Sequence, residues 1–225
     1  MADTKTKKTT SRKSSKKSKN DIFGAYMDSV LMHEKYPTNV YKFCKEQNIN
    51  EANFYDYFGN LTILQKEVWI AFHENTIDLM EKQDMDEASP KEKLLTYFFT
   101  LFEILTANRS YCLFALENGM EMPKKLHQLS GLRKHARTFA TEIIQQGNDE
   151  KQYKLLKHPE SIFAEAVWVQ FLFLLRFWVN DSSKSFEKTD AAIEKSVQTA
   201  FDVFETKALD SLLDFGKFLW KEFNN

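Results

Sequence analysis

The chain has 225 residues, 43% hydrophobic and 28% charged, with six glycines, four prolines and two cysteines. That is long enough to bury a core of one or two domains, too poor in turn formers for an all-β fold, and too poor in cysteine for a disulfide-stapled secreted domain. The formal net charge of −1 hides a split: residues 1–20 hold eight bases against Asp3, which leaves −8 for the remainder.

Serine and threonine fill the gaps between those bases, and no large apolar residue follows Met1. Residues 1–20 are therefore expected to be a basic arm that stays unfolded until it meets an anion. It reads either as a phosphate-neutralising segment, with Lys13, Lys16 and Lys17 nearest the next domain, or as a solubilising tail. No apolar run follows the basic start, so no signal peptide is expected and a reducing cytoplasm fits. Ile22, Phe23, Tyr26, Val30 and Leu31 then recur at helical spacing, predicting a helix over 20–34 before the break at Pro37. A short helix over 38–46 turns Val40, Phe43 and Cys44 inward. Asn48 suits the left-handed geometry of a tight turn, and another short helix follows over 50–57. The apolar pattern resumes from Leu61 as a long helix. Ser89, Pro90 and Glu92 form a strong start signal for a helix to about 106. Further helices are expected over 108–118, 132–147, 160–180, 189–206 and 208–223, separated by Gly119 with Pro123, by Gly147, by Pro159 and by a polar stretch. The run "AVWVQFLFLLRFWV" (166–179) is interrupted by Gln170 and Arg176 and falls short of the roughly 20 residues a bilayer span requires, so it reads as a buried helix. The fold class is all-α.

Two short helices joined by a tight turn and braced by a preceding helix make a tri-helical helix-turn-helix head. The stretch "NVYKFCKEQNINEANFYDYFGNLTILQKEVW" (39–69) resembles the head of TetR-type regulators. Val40, Phe43 and Cys44 match the inner face of that family's second helix, "QNIN" its turn, "NFYDYF" its recognition helix, and Leu64 the leucine opening its fourth helix. Spacing alone turns Ile49, Phe54 and Phe58 inward and leaves Glu51, Asn53, Tyr55, Asp56 and Tyr57 outside. The resemblance implies phosphate contacts at Tyr55 and Tyr57 and a base-edge position at Asn53, where an asparagine can pair bidentately with adenine. Tyr41, Asn50 and Glu51 complete the candidate DNA-contacting set with Lys13, Lys16 and Lys17. The head departs from the family's pattern in its charge. Glu51 stands where a small or basic residue is usual, Asp56 is added, and Leu61 replaces a phosphate-gripping lysine. Residues 21–72 net −3, a poor polyanion binder alone, and the arm raises the sum to +4.

The expected layout is a basic arm (1–20), a head (21–66) and a larger helical domain (67–225). In the TetR family the larger domain binds a small apolar effector and dimerises through its last long helices. Aromatic-rich stretches could line an effector cavity, with Phe98, Phe102, Tyr111, Phe114, Trp168, Phe171 and Arg176 as candidates, or could be ordinary core. Arg176 either faces a pocket and meets an acidic head group, or snorkels or pairs with a carboxylate at the dimer seam. Neither a metal-ligand spacing nor a glycine-rich phosphate loop is present, and the five histidines are scattered, so no enzyme, metal or cofactor is expected. The reading is a DNA-binding regulator that is a homodimer on a double-stranded operator and responds to a small apolar effector. Two alternatives share the architecture: a lipid or isoprenoid carrier that no longer binds DNA, and a helical adaptor.

Overall fold

The computed structural model describes residues 16–117, 127–149 and 160–205. All regular structure among them is helical. The chain divides into two compact units, the first ending at Gln65 and the second beginning at Lys66.

The first unit contains α1 (Lys19–His33), α2 (Val40–Glu46) and α3 (Glu51–Tyr55), and ends within α4 (Leu61–Glu81). The helix α1 starts earlier than composition suggests. Ser18 Oγ accepts from the Asp21 amide at 3.1 Å and the Ser18 amide donates to Asp21 Oδ2 at 2.9 Å, a reciprocal cap that satisfies two otherwise orphaned donors. Those bonds hold the Asp21 carboxyl below the usual range. Lys19, expected in the arm, thus opens the first turn of the helix, and Lys13 lies outside the described residues. Ile22, Phe23, Tyr26 and Val30 are buried, whereas Leu31, expected inside, is exposed together with Met32. Asn39, Asn50 and Asn60 each lend a side-chain oxygen to the start of the following helix, at 2.8–2.9 Å. The core closes ring on ring: Phe23 against Phe58, Tyr26 edge-on to Phe43, and Phe54 edge-on to Phe43.

In the second unit α4 continues to Glu81, followed by α5 (Pro90–Ala107), α6 (Arg109–Glu117), α7 (Ser130–Asp149), α8 (Glu160–Val179), a 3₁₀ turn (Lys184–Phe186) and α9 (Glu187–Glu205). The cap at Ser89 forms with Pro90 at the first position and Glu92 bonding back. Gly147 does not end α7, which runs past it to Asp149. The expected helix over 208–223 lies outside the described residues. Helix α7 packs along α8, and α9 lies against both α5 and α8. Gly131, in the first turn of α7, leaves room for Ile70 of α4, since a Cβ there would stand 2.5 Å from that side chain. Helix α8 has twenty residues and is long and apolar enough to cross a membrane by length and composition, longer than its unbroken apolar run suggested. Its buried side chains, among them Phe163, Trp168, Phe171 and Trp178, pack into this unit's core.

Arg109 fastens the end of α8. Its guanidinium donates to the carbonyls of Trp178, Val179 and Asp181 at 3.1, 3.2 and 3.4 Å, and lies 4.4 and 4.5 Å from the ring centres of Trp178 and Phe186. The fork meets carbonyls at and just beyond the helix end, where intrahelical donors run out; that of Trp178 also accepts from the Asp181 amide at 3.1 Å. Asp181, just beyond, accepts from the amides and hydroxyls of Ser183 and Thr189 at 2.6–2.9 Å. Burial pushes its carboxyl up, but these four donors outweigh burial and bring it down to about 2.

Candidate nucleic-acid interface

The turn between α2 and α3 is set by Asn48, whose φ of 55° is left-handed. That reversal lets the Ile49 amide reach the Cys44 carbonyl at 2.8 Å and turns Ile49 into the core. Helix α3 follows with Asn50 at its cap, and its buried Phe54 and the following Phe58 hold it against α1 and α2. Cys44 is packed beneath. Burial pushes its thiol up to about 11 and the nearby charge of Glu51 adds to the shift, so it is an inert small core residue.

Around this braced turn three tyrosines stand in solvent: Tyr41 at 57% exposed, Tyr55 at 52% and Tyr57 at 40%. Each offers a hydroxyl that can donate to a phosphate oxygen. The Lys45 ammonium lies 5.8 Å from the centre of the Tyr41 ring. Asn50 is exposed and Glu51 half-buried.

Asn53 departs from expectation. It is 5% exposed, and its Oδ1 accepts from the backbone amide of Lys17 at 2.8 Å. Spacing along a five-residue helix could not reveal this, because a segment preceding α1 covers Asn53. Asp56 is engaged from the same segment, with its carboxylate 2.9 Å from the Lys16 ammonium. Hydrogen bonding to Asp56, and then its charge, hold the Lys16 ammonium above its usual pKa. The sequence offered one signal for this arrangement: Asn53 and Asp56 are three apart, and so are neighbours on a helical surface.

The candidate effector-cavity residues fall into two groups. Phe98, Phe102, Tyr111, Trp168 and Phe171 are buried and Phe114 is half-buried. Trp168 stacks on Phe171 at 5.2 Å and Phe102 meets Phe171 at 6.1 Å, so these rings fill space against one another. Arg176 is not among them. It lies on the exposed side of α8 in an open groove of about 320 Å³ with Phe173, Phe177, Asn180 and Lys188. Glu165 pairs instead with Arg133 and Arg137 of α7 at 3.0 and 3.2 Å. His73 is a buried polar residue of this core: its Nδ1 shares a 3.0 Å hydrogen bond with the Tyr97 hydroxyl, and its ring centre lies 5.5 Å from that of His135. Burial, with His135 beside it, lowers His73 to about 4. Among the described residues no three histidine, cysteine or acidic side chains come together as a metal site would require.

A three-helix head followed by a longer helical unit is a shared architecture, and the sequence match of the second unit is what decides the family. Residues 93–219 match the family described as "Tetracyclin repressor-like, C-terminal domain". The chain belongs to the TetR family. Solved TetR-family structures resemble it along most of their length. One is described as a TetR-family transcriptional regulator from Syntrophomonas wolfei (16% identity, 84% of this chain and 95% of that one, TM-score 0.64). Another is the fatty acid degradation regulator FadR of Bacillus halodurans (16%, 83% and 97%, TM-score 0.55). A third, the regulator FadR of Bacillus subtilis, was solved in complex with stearoyl-CoA (18%, 79% and 97%, TM-score 0.53). At these identities the likeness is one of TetR fold. No curated protein matches the chain.

Proposed function

We propose that this TetR-family chain is a DNA-binding transcriptional regulator that engages a two-fold operator as a homodimer and is released or retained by a small apolar effector. The observation that carries the reading is the contrast within α2 and α3: every phenylalanine there is buried, while Tyr41, Tyr55 and Tyr57 stay in solvent around a turn fixed by Asn48. A helix held rigidly from beneath and fringed with hydroxyls is suited to a duplex backbone, with Asn50 and Glu51 at its start within reach of base edges. Dimerisation is supported by α8, where Val169, Phe173 and Phe177, at four-residue spacing, are exposed on a helix whose other apolar side chains are buried or half-buried. An apolar effector is supported by the aromatic content of the second unit, and a long acyl chain of the kind carried by stearoyl-CoA is the class to test first.

The acid surplus of the head favours the alternative reading, a carrier or adaptor that has left DNA behind. Selection of bound sequences from random duplex DNA separates the two. Enrichment of an inverted repeat is expected, and recovery of no preferred sequence at any salt concentration would sink the regulator.

A further inference from the structure

The start of the described chain is bound to the recognition helix at two points. The Lys17 amide donates to Asn53 Oδ1, and the Lys16 ammonium pairs with Asp56. Ser18 immediately follows and is locked into the cap of α1, so three consecutive residues are held. Asn53 is buried, and its Nδ2 has no hydrogen-bond partner among the described residues. The bond to Lys17 is therefore what holds its amide. An asparagine buried beneath the segment that binds it does not present its amide edge to a base, so the donor and acceptor pair that reads adenine is withheld. Asp56, with a cation on it, no longer confronts phosphate as a bare charge.

We propose that Asn53 and Asp56 form a seat for the root of the basic arm, with the DNA phosphate backbone as the arm's partner. They are positioning residues: by holding residues 16–18 against α3 they fix the point from which Lys5, Lys7, Lys8, Arg12 and Lys13 depart. The proposal rests on the DNA-binding reading above and gives the acid of the recognition helix a use within it. A charged segment tethered beside a groove acts at a local concentration set by where its tether begins. Releasing the root spreads the same five cations over a larger volume and returns the Asp56 charge to face the duplex.

Two measurements on the full-length chain test this. In the first, trypsin cleavage after Lys16 and Lys17 is followed by mass spectrometry. Asn53→Ala and Asp56→Asn should each speed these cuts, with Asp56→Glu close to native, while circular dichroism confirms an intact head. Unchanged cleavage in both variants overturns the seat and leaves the DNA reading standing. In the second, affinity for a labelled random-sequence duplex is titrated over a salt series, with the arm native or with its five outer bases changed to Gln. With the native arm, Asp56→Asn should weaken binding about threefold and flatten the salt dependence. With the neutralised arm the same substitution should tighten binding, because only a repulsive charge is then removed. Tightening in both backgrounds overturns the proposal. Absence of duplex binding by the native chain even at low salt overturns it together with the DNA-binding reading.

Discussion

Phe54 is fully buried and Tyr55 beside it is half exposed, so the two rings separate holding from contacting. Phe54→Ala should cost about 3–5 kcal/mol and unfold the head, seen as loss of its share of the circular dichroism melt. Tyr55→Phe or Tyr57→Phe should leave that melt in place and weaken duplex binding by about 1 kcal/mol for each hydroxyl lost. His73 supports a different prediction. Its folded pKa of about 4 lies below the ordinary value, so between these two points the unfolded chain binds a proton that the folded chain refuses. The stability contributed by neutral His73 is complete above pH 6.5 and falls as acid is added toward pH 4, at up to about 1.4 kcal/mol per unit. Urea titrations across that range should show this slope in the native chain and a shallower one in His73→Gln. An unchanged slope would place the proton elsewhere.

The helix ends were legible at some of the places where they carry chemistry, though the reciprocal cap of Ser18 and Asp21 went unread. The cap at Ser89, with Pro90 and Glu92, could be read from three letters, and Asn48 marked the turn because few residues other than glycine tolerate left-handed backbone. Phe54 and Phe58 were placed inside correctly because an apolar period needs only local spacing. Burial of Asn53 was not legible, since its cover comes from Lys17, thirty-six positions away in sequence. The face of α8 that looks outward was equally hidden: with apolar residues all round, periodicity cannot tell Phe173 from Phe171, and only tertiary packing, such as that of Phe171 on Phe102 of α5, decides. Arg109 was overlooked because its partners are backbone carbonyls, which leave no trace in the letters. Arg109→Lys keeps the charge but loses the fork, and should lower stability by about 2 kcal/mol, read as an earlier midpoint in urea. An unshifted midpoint would mean that the stacking and the three carbonyl bonds contribute little.

For the whole molecule, charge and assembly set the behaviour. A segment of residues carrying +7 is joined to a remainder of −8, so ionic strength should act on self-association as well as on DNA binding. If Val169, Phe173 and Phe177 meet a second copy, Phe173→Glu should yield monomers at tens of micromolar in sedimentation while the native chain sediments as a dimer. Equal sedimentation of the two would remove α8 from the interface. The division between the units falls after Gln65, inside α4, an uninterrupted helix from Leu61 to Glu81. That continuity governs dissection of the chain: cut at the division, the head would keep barely one turn of α4, too short to persist by itself, and would shed its grip on Leu64.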